Sequence, residues 1–534
     1  MPLDGVDPND PRPVDRRQFV FATGLSAGSS KQDYVLIFGN KTSAGSEATN
    51  VIRTPILDDA DCIARFGRRS EIYWLFRKYA AIDQSATIYA IAVPEGGGAT
   101  AASCTFTFAT NASAVTSVKI QFLGETLHVS VAKDDTPTVV ALAVSNAINA
   151  AADGSWPVTA SPAAGVVTVT AANLGPRGDH LIGDGADAAG KGMRVTFTVS
   201  AGMTSTKSAI TAGATDDDFT LAIAQMKAGE YTVQISPKHQ NTAAAAGQGS
   251  ATAISATDNG IGENMAGIVE QSGANFGKFQ QLFLGFVGTQ AAATTAAITS
   301  SLNSPYAFLF HQEDSDYTPG MIAAEHAAIA RRKLTAYPAA NLNEYPKDSG
   351  DVYTIPAFYN ADDIPTDTEW KADLNNGICA IHQRKTGTFL SRFVTTRSLN
   401  AQGNNDYRTR EGHIPYAVEF FWRTALARWQ SEKQPNVAND APAGGKPPLL
   451  TSTPSQLKNL LRGVMDDLAG GDSGSERPLG QYPGPILQFD KLTTMKNSIV
   501  VTKIAGGLEA SCDVLVIEHL IQSNTKLNQA GAGY

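Results

Sequence analysis

The sequence predicts a multidomain protein of mixed class, an α/β core joined to an α+β unit, and three observations carry that expectation. Strand-like apolar runs alternate with helix-periodic segments before residue 97 and again after residue 206. Between them lies a Thr/Val/Ala-rich stretch whose apolar residues recur at every second position, the period of strands. The length, 534 residues, exceeds what one core normally organises.

Residues 1–30 form an arm with one alternating run, "RQFVFAT", in which Phe19 and Phe21 face one way and Val20 and Ala22 the other. A single strand is not stable alone and needs a sheet edge. Residues 31–97 read β-α-β. "YVLIFG" is a buried strand, "SEIYWLFRKYA" a helix capped by Ser70 with Ile72, Leu75, Phe76 and Tyr79 on one face, and "ATIYAIAV" a second strand stopped by "PEGGG". Residues 98–205 read as an inserted β-rich domain with strands "CTFTFAT", "SVKIQFLG", "TLHVSVAK", "GVVTVTA" and "MRVTFTVS" and one helix, "TPTVVALAVSNAINAAA". Alternation resumes over 206–365, from helix "DDDFTLAIAQMKA" through strands "EYTVQIS", "QLFLGFVG" and "PYAFLFH" to helix "PGMIAAEHAAIARRK", with a loop at 241–275.

Residues 366–504 read as a third, α+β unit. It opens with the hairpin-like strands "GICAIHQ" and "TFLSRFVTTR"; a helix follows with Ile414, Val418, Phe421, Trp422, Ala425 and Trp429 on one face. Residues 505–534 form a C-terminal strand arm. After the "AGG" break, with Gly506 and Gly507 as a hinge, "SCDVLVIEHLIQS" is apolar on both alternating faces, the pattern of a strand covered on both sides. Phe19–Phe21 and Val514, Leu515, Val516 and Ile517 are therefore read as strands whose partners lie elsewhere.

Composition narrows the function. A net charge of −9 speaks against general nucleic-acid binding, and no apolar run approaches the ~18 residues of a spanning helix. The start is charged and proline-rich, without the apolar segment of a secretory signal. Cys62, Cys104, Cys379 and Cys512 form no CxxC and read as four reduced thiols. None of the eight histidines makes HExxH, and no GxSxG, GxxxxGK[ST] or strand-linked GxGxxG occurs, so no catalytic, metal or cofactor site is assigned. "DDD" at 216–218 reads as a helix N-terminus, where carboxylates favour the macrodipole. Residues 384–397 carry Arg384, Lys385, Arg392 and Arg397 without an acid, either a solvated strand face or a polar grip on an acidic neighbour.

The order of these parts, with "RKLTAYPAANLNEYP", "NGICAIHQRKTGTFLSRFVTTRSLNAQGNNDYR" and "GVVTVTAANLGPRGDH", resembles the contractile bacteriophage tail sheath proteins of the Mu-like type. Arg397 stands where that family commonly has an aromatic residue. The resemblance implies a subtilisin-like but non-catalytic core and terminal strands exchanged between subunits. It implies a structural protein of the virion tail, assembled in the bacterial host cytoplasm. Its partners would be further copies in stacked hexameric rings, the inner tail tube protein, and baseplate and tail terminator proteins. No nucleic acid, membrane insertion or cofactor is implied. On this reading the basic residues face tube or sheath, and Cys512, on the exchanged strand, meets Cys379 across a subunit boundary. A pyocin-like or other non-phage contractile injection particle fits the same residues; a hydrolase with degenerate motifs and a surface adhesin fit fewer of them.

Overall fold

The computed structural model describes residues 34–183, 192–199, 202–215, 217–226, 233–237, 280–299, 302–313, 315, 317–336, 342, 364–384, 387–399, 403–404, scattered positions from 411 to 464, and four strands between 487 and 526. Its centre is a seven-stranded sheet. The first crossover is β1 (Tyr34–Asn40), α1 (Asp59–Phe66), α2 (Glu71–Ala80) and β2 (Thr87–Val93), with β1 and β2 parallel from Tyr34↔Thr87 to Asn40↔Val93. Asp58 and Ser70 cap the two helices by accepting from the amides of Asp61 and Tyr73, as their short oxygen-bearing side chains favour.

The insert then runs β3 (Ser103–Ala109), β4 (Thr116–Phe122), β5 (Glu125–Val131), α3 (Pro137–Gly154), β6 (Val158–Ala163), β7 (Val166–Ala171), α4 (Arg177–Ile182), β8 (Arg194–Phe197) and β9 (Thr204–Lys207). It forms two antiparallel sheets, β6-β7-β3-β9 and β5-β4-β8. Helix α3 buries Val140, Val144 and Ile148 against them. Strands β6 and β9 carry too few apolar residues to be read from alternation: "VTASPA" contains a proline and "TSTK" has no apolar residue.

The core resumes with α5 (Thr220–Ala224), β10 (Val233–Ser236), β11 (Gln281–Val287), α6 (Gln290–Thr299), β12 (Ala307–Gln312), α7 (Pro319–Ala336), α8 (Asp367–Asn375), β13 (Ile378–Arg384) and β14 (Gly387–Leu390). The sheet order is β2-β1-β10-β11-β12-β13-β14, parallel except for β14. Both faces are covered. Leu36 and Phe38 share one apolar layer with Phe219, Ile223 and Ala293, while Val35 and Ile37 share the other with Ile72, Leu75, Tyr79 and Ala327. Each such side chain contributes about 1.5–3 kcal/mol when fully buried. Residues 49–56 cover the edge of β2, with the Asn50 and Ile56 amides donating to the carbonyls of Ala92 and Ile88 at 2.8 and 2.7 Å.

Three expectations are corrected. The strands expected to open a separate unit at 366 instead continue the large sheet: β13 lies parallel to β12 through Leu309↔Ile378, and β14 closes the edge. An apolar strand following helix α8, capped by a Thr366–Glu369 box, completes another β-α-β step, and burial of Ile378, Cys379 and Ile381 fixes its place. Second, Gly506 and Gly507 are not a break. They lie within β18 (Lys503–Glu509), which belongs to an antiparallel sheet β17-β18-β19-β20 with β17 (Leu487–Phe489), β19 (Val514–Leu520) and β20 (Thr525–Lys526). Between the core and this sheet, β15 (Asn436–Val437) and β16 (Thr451–Ser452) pair in parallel.

Third, Val514, Leu515, Val516 and Ile517 have partners in their own chain, opposite Glu509, Leu508, Gly507 and Gly506. A short hairpin closes with little loop entropy, and a glycine in an antiparallel ladder keeps its backbone bonds while losing only side-chain packing. Phe19, Val20, Phe21, Lys385, Cys512, the 241–275 loop and most of the helix face from Ile414 to Trp429 lie outside the described residues.

Candidate functional site

In a doubly wound sheet the ligand crevice opens beyond the carboxyl ends of the strands, where the strand order reverses. Here that point falls between β1 and β10, and the insert occupies the space beside the end of β1. Asn40 is the last residue of β1, Glu71 the first of α2, and Asp217 precedes α5. Into this acidic niche α4 sends Arg177, whose guanidinium donates to Glu71 Oε2, Asn40 Oδ1 and Asp217 Oδ2. Only 11% of the Arg177 side chain and 1% of that of Asp217 meet solvent. Asp217 therefore serves as an ion-pair partner rather than as a dipole-favouring residue at an exposed helix end.

The preceding residues of the same loop add a second set of bonds. Asn173 Nδ2 donates to the Lys41 carbonyl at 3.0 Å and Asn173 Oδ1 accepts from the Glu71 amide at 3.0 Å. The Leu174 amide donates to Glu95 Oε1 at 2.9 Å. Two glycines permit the approach. A Cβ at Gly178 would stand 2.8 Å from that of Ala171, and one at Gly213 would stand 2.1 Å from the Gly175 carbonyl oxygen.

A third contact joins the carboxyl end of α3 to α2. Arg69 donates to the carbonyls of Gly154 and Asn149 at 3.0 Å each, Arg68 to that of Asp153 at 2.6 Å, and Trp74 Nε1 to that of Ser155 at 2.6 Å. The Asn149 carbonyl belongs to the last regular turn of the helix, where a cation is favoured, while the other three lie in the kinked turn after it, whose carbonyls these side chains satisfy. Next to this lies Lys78, its Nζ 3.5 Å from the centre of the Tyr317 ring, with Glu325 and Glu125 exerting opposing charge. Burial pushes the Glu325 carboxyl up to about 7, although Lys78 pulls it down.

A raised carboxyl has a defined consequence. Below about 4.5 the group is neutral in both folded and unfolded chains; above about 7 the folded protein must hold a buried charge. This group's stabilising contribution is thus present at low pH and lost as pH rises through 7. Glu325→Gln is expected to match wild type near pH 4.5 and to be more stable by about 3 kcal/mol above pH 8, read as the difference between the two denaturant profiles.

The arrangement nearest to a catalytic one is His311 with Asp373, a pair that sequence spacing does not reveal because 62 positions separate them. His311 Nδ1 lies 2.7 Å from Asp373 Oδ2 and Nε2 lies 2.8 Å from the Gly288 carbonyl oxygen, with the pair 1% and 0% exposed. A carbonyl only accepts, so Nε2 carries the proton shared with Gly288, and Nδ1 faces the Asp373 carboxylate, a geometry that favours a second proton on the ring. Burial alone would lower its pKa, but the bond to Asp373, that residue's charge and the Gly288 carbonyl together hold it above the ordinary value. Buried and with both ring nitrogens engaged by Asp373 and Gly288, His311 presents no free nitrogen to a substrate as a general base. It ties β12 to α8 and to the turn before α6. Among the described residues no group of three or more His, Cys, Asp or Glu side chains is placed to hold a metal ion, and no helix is long and apolar enough to cross a membrane.

The residues expected to grip a neighbour are placed differently from one another. Arg384 ends β13 opposite Gly387. Arg392 pairs with Glu411 of its own chain. Arg397 is half-buried. Cys379 is fully buried, its Sγ 3.0 Å from the Val394 carbonyl oxygen, and burial pushes its thiol far up. A thiol without solvent access and with a suppressed thiolate is unsuited to a cross-link with Cys512 of another copy. Cys62 and Cys104 are likewise buried and free.

No protein-family model matches the chain, and no curated protein sequence matches it. Among solved structures that are similar, two match over nearly its whole length as follows. One is the sheath tail protein from Desulfitobacterium hafniense, at 12% identity and a TM-score of 0.44, covering 94% of this chain and 100% of that one. The other is a chain of the anti-feeding prophage baseplate, 6-fold symmetrised, at 10% identity and a TM-score of 0.37, covering 96% and 98%.

Proposed function

We propose that this chain is the structural subunit of a contractile tail sheath, polymerising as stacked helical rings around an inner tube and shortening to drive that tube through a host envelope for genome ejection. The observation that carries this reading is the Arg177 clasp. The crevice where a doubly wound sheet would take a ligand is filled by the chain's own insert, and core and insert are bonded at three places into one block. A protein that works by changing its position among identical copies needs such rigidity. The resemblance of the sequence to the Mu-like family, with its non-catalytic subtilisin-like core, supports the same reading. A pyocin-like or other injection-particle sheath would be built from the same block.

Subunits then rotate and move outward as units, and the chain ends keep them linked. Among the described residues, β20 pairs with Glu518 and His519 on the second edge of β19, and no strand pairs with Val514–Ile517 on that edge. A strand from a neighbouring copy, such as Phe19–Phe21, would add there by β-augmentation. Each net backbone bond of this kind is worth about 1 kcal/mol. Nothing in this scheme consumes nucleotide: the extended state is held kinetically and released into better inter-ring contacts.

Negative-stain images of the purified protein are expected to show hollow striated tubes. A truncation ending at residue 510 is expected to stay unassembled while its α/β core folds, seen as a monomeric species with native tryptophan emission. Tubes formed by the truncated chain, or none formed by the intact chain with purified tube protein, would overturn the reading.

A further inference from the structure

Strand β5 leaves a sheet edge bare. It lies outermost in the sheet β5-β4-β8, and among the described residues no strand pairs with its second edge. The other edges of the core and insert sheets are blunted: residues 49–56 cover β2, β6 carries Pro162, and β8, β9 and β14 are four residues long. Natural edges avoid stray pairing by such devices, by bulges or by lysine. β5 has none of these. It runs seven residues, Glu125–Val131, in unbroken register with β4 from Phe122↔Glu125 to Thr116↔Val131, and contains neither proline nor lysine. Its one inward carboxylate, Glu125, sits at the turn and accepts from Trp156 Nε1 at 2.8 Å.

The turn fixes which groups that edge presents. Leu123 and Gly124, with φ of 51° and 78°, form a two-residue loop of the kind that closes a hairpin with a hydrogen-bonded pair, here Phe122 and Glu125. Bonded and non-bonded pairs then alternate, so Glu125, Leu127, Val129 and Val131 turn their backbone groups to β4 while Thr126, His128 and Ser130 aim theirs away. An independent bond agrees: the Ser117 carbonyl, opposite Ser130, accepts from the Thr198 amide on the far side of β4 at 3.0 Å. Thr126, His128 and Ser130 are all exposed, and Leu127 and Val129 on the inner face are only partly buried.

This edge is complementary to itself. Turned antiparallel about His128, a second copy sets Thr126 opposite the partner's Ser130, and His128 opposite the partner's His128. Every outward-aimed backbone group then meets another, about six bonds at two per pair, and a slip of two residues would leave about four. A slip of one residue would oppose outward groups to groups already bonded to β4 and reverse the faces. In the full register Leu127 meets the partner's Val129 on the inner side, which extends the apolar layer, and hydroxyl meets hydroxyl outside. We propose that β5 pairs antiparallel with β5 of a second copy about a two-fold axis at His128, joining two three-stranded sheets into one. An isologous contact of this kind has no place within a polar helical stack, so it goes beyond the sheath reading: free subunits pair through their inserts before they polymerise. One strand edge makes a small interface, of the class that dissociates on dilution.

The test is cross-linking of the full-length chain, concentrated and cleared of tubes by centrifugation. Opposite residues of a bonded pair have Cα atoms about 5.5 Å apart, whereas the two Thr126 positions would lie about 14 Å apart along the join. A bifunctional maleimide too short for the longer span is added, and covalent dimer is scored on a denaturing gel above the wild-type baseline. His128→Cys is expected to give dimer, Thr126→Cys alone to stay at the baseline, and Thr126→Cys mixed with Ser130→Cys to give dimer again. Thr126→Pro removes an outward amide and leaves the β4 ladder its bonds; added to His128→Cys, it is expected to cut the yield roughly fivefold or more. The proposal is overturned if His128→Cys stays at the baseline, as it would with another segment such as Phe19–Phe21 on the edge. It is equally overturned if Thr126→Cys alone links as well as His128→Cys, if the mixture stays at the baseline, or if Thr126→Pro leaves the yield unchanged. Tube formation is scored separately, so failure here leaves the sheath reading intact, and the converse holds.

Discussion

Replacing Arg177 with methionine is expected to destabilise the chain by about 3–5 kcal/mol, because it strands two carboxylates that the fold has already taken out of water. Asp217 is almost wholly buried and Glu71 nearly so, and each uses the guanidinium as its counter-charge. Methionine approximates the length and the apolar stem, so the loss reports the charge more than a cavity. The readout is urea unfolding followed by tryptophan emission, since Trp74 of the core bonds Ser155 of the insert and the next residue, Trp156, packs against Phe122 within the insert. Adding Glu71→Gln and Asp217→Asn to the same chain is expected to recover most of the loss, because a neutral niche no longer demands a cation. A single variant losing less than about 1 kcal/mol, the range of an exposed pair, would mean that the niche is solvated and the clasp does not hold the insert.

His311→Ala is the second large effect, again about 3–5 kcal/mol, because Asp373 is left as an unpaired charge at zero exposure. Gln290 Nε2 also donates to Asp373, at 3.2 Å, and softens the loss without replacing the charge. The pH dependence separates this pair from simple packing. A histidine whose folded pKa is raised contributes stability that is complete below its unfolded value of about 6.5 and disappears as pH rises through the folded one. The difference between wild type and His311→Ala should therefore shrink toward alkaline pH. A pH-independent difference would show that the imidazole is neutral and would return it to consideration as a base. In that case a fluorophosphonate probe, expected to leave the protein unlabelled, becomes the decisive check on the hydrolase alternative.

Much of the architecture is legible from periodicity. "YVLIFG", "ATIYAIAV" and "PYAFLFH" are continuous apolar runs, and each became a strand buried on both faces of the parallel sheet. The insert is legible for a different reason: "SVKIQF" alternates strictly, and a sheet with one wet face imposes that alternation. What sequence reading missed depends on distance along the chain. Arg177 reaches Glu71 and Asn40 across more than a hundred positions, and nothing local in "LGPRGDH" marks its arginine as buried. The assignment of β13 to a separate unit failed likewise. A hairpin signal says which strand follows, but not whether the first of the pair joins an existing sheet. The glycine pair at 506–507 is punctuation in most contexts, yet an antiparallel partner suffices to carry it through.

The contact between α2 and the end of α3 has one more implication, for measurement. The regular part of helix α3, residues 137–150, is about 21 Å long at 1.5 Å per residue, and the kinked turn that ends it is bonded to the core by Arg68 and Arg69. Its far end, with the exposed Val139, moves with the insert sheets on which Val140, Val144 and Ile148 are packed, about 21 Å from the turn bonded to the core. A spectroscopic label there would turn with the whole molecule like the hand of a dial, so small rotations of the core become angstrom-scale sweeps that distance measurements between labelled copies can follow in real time.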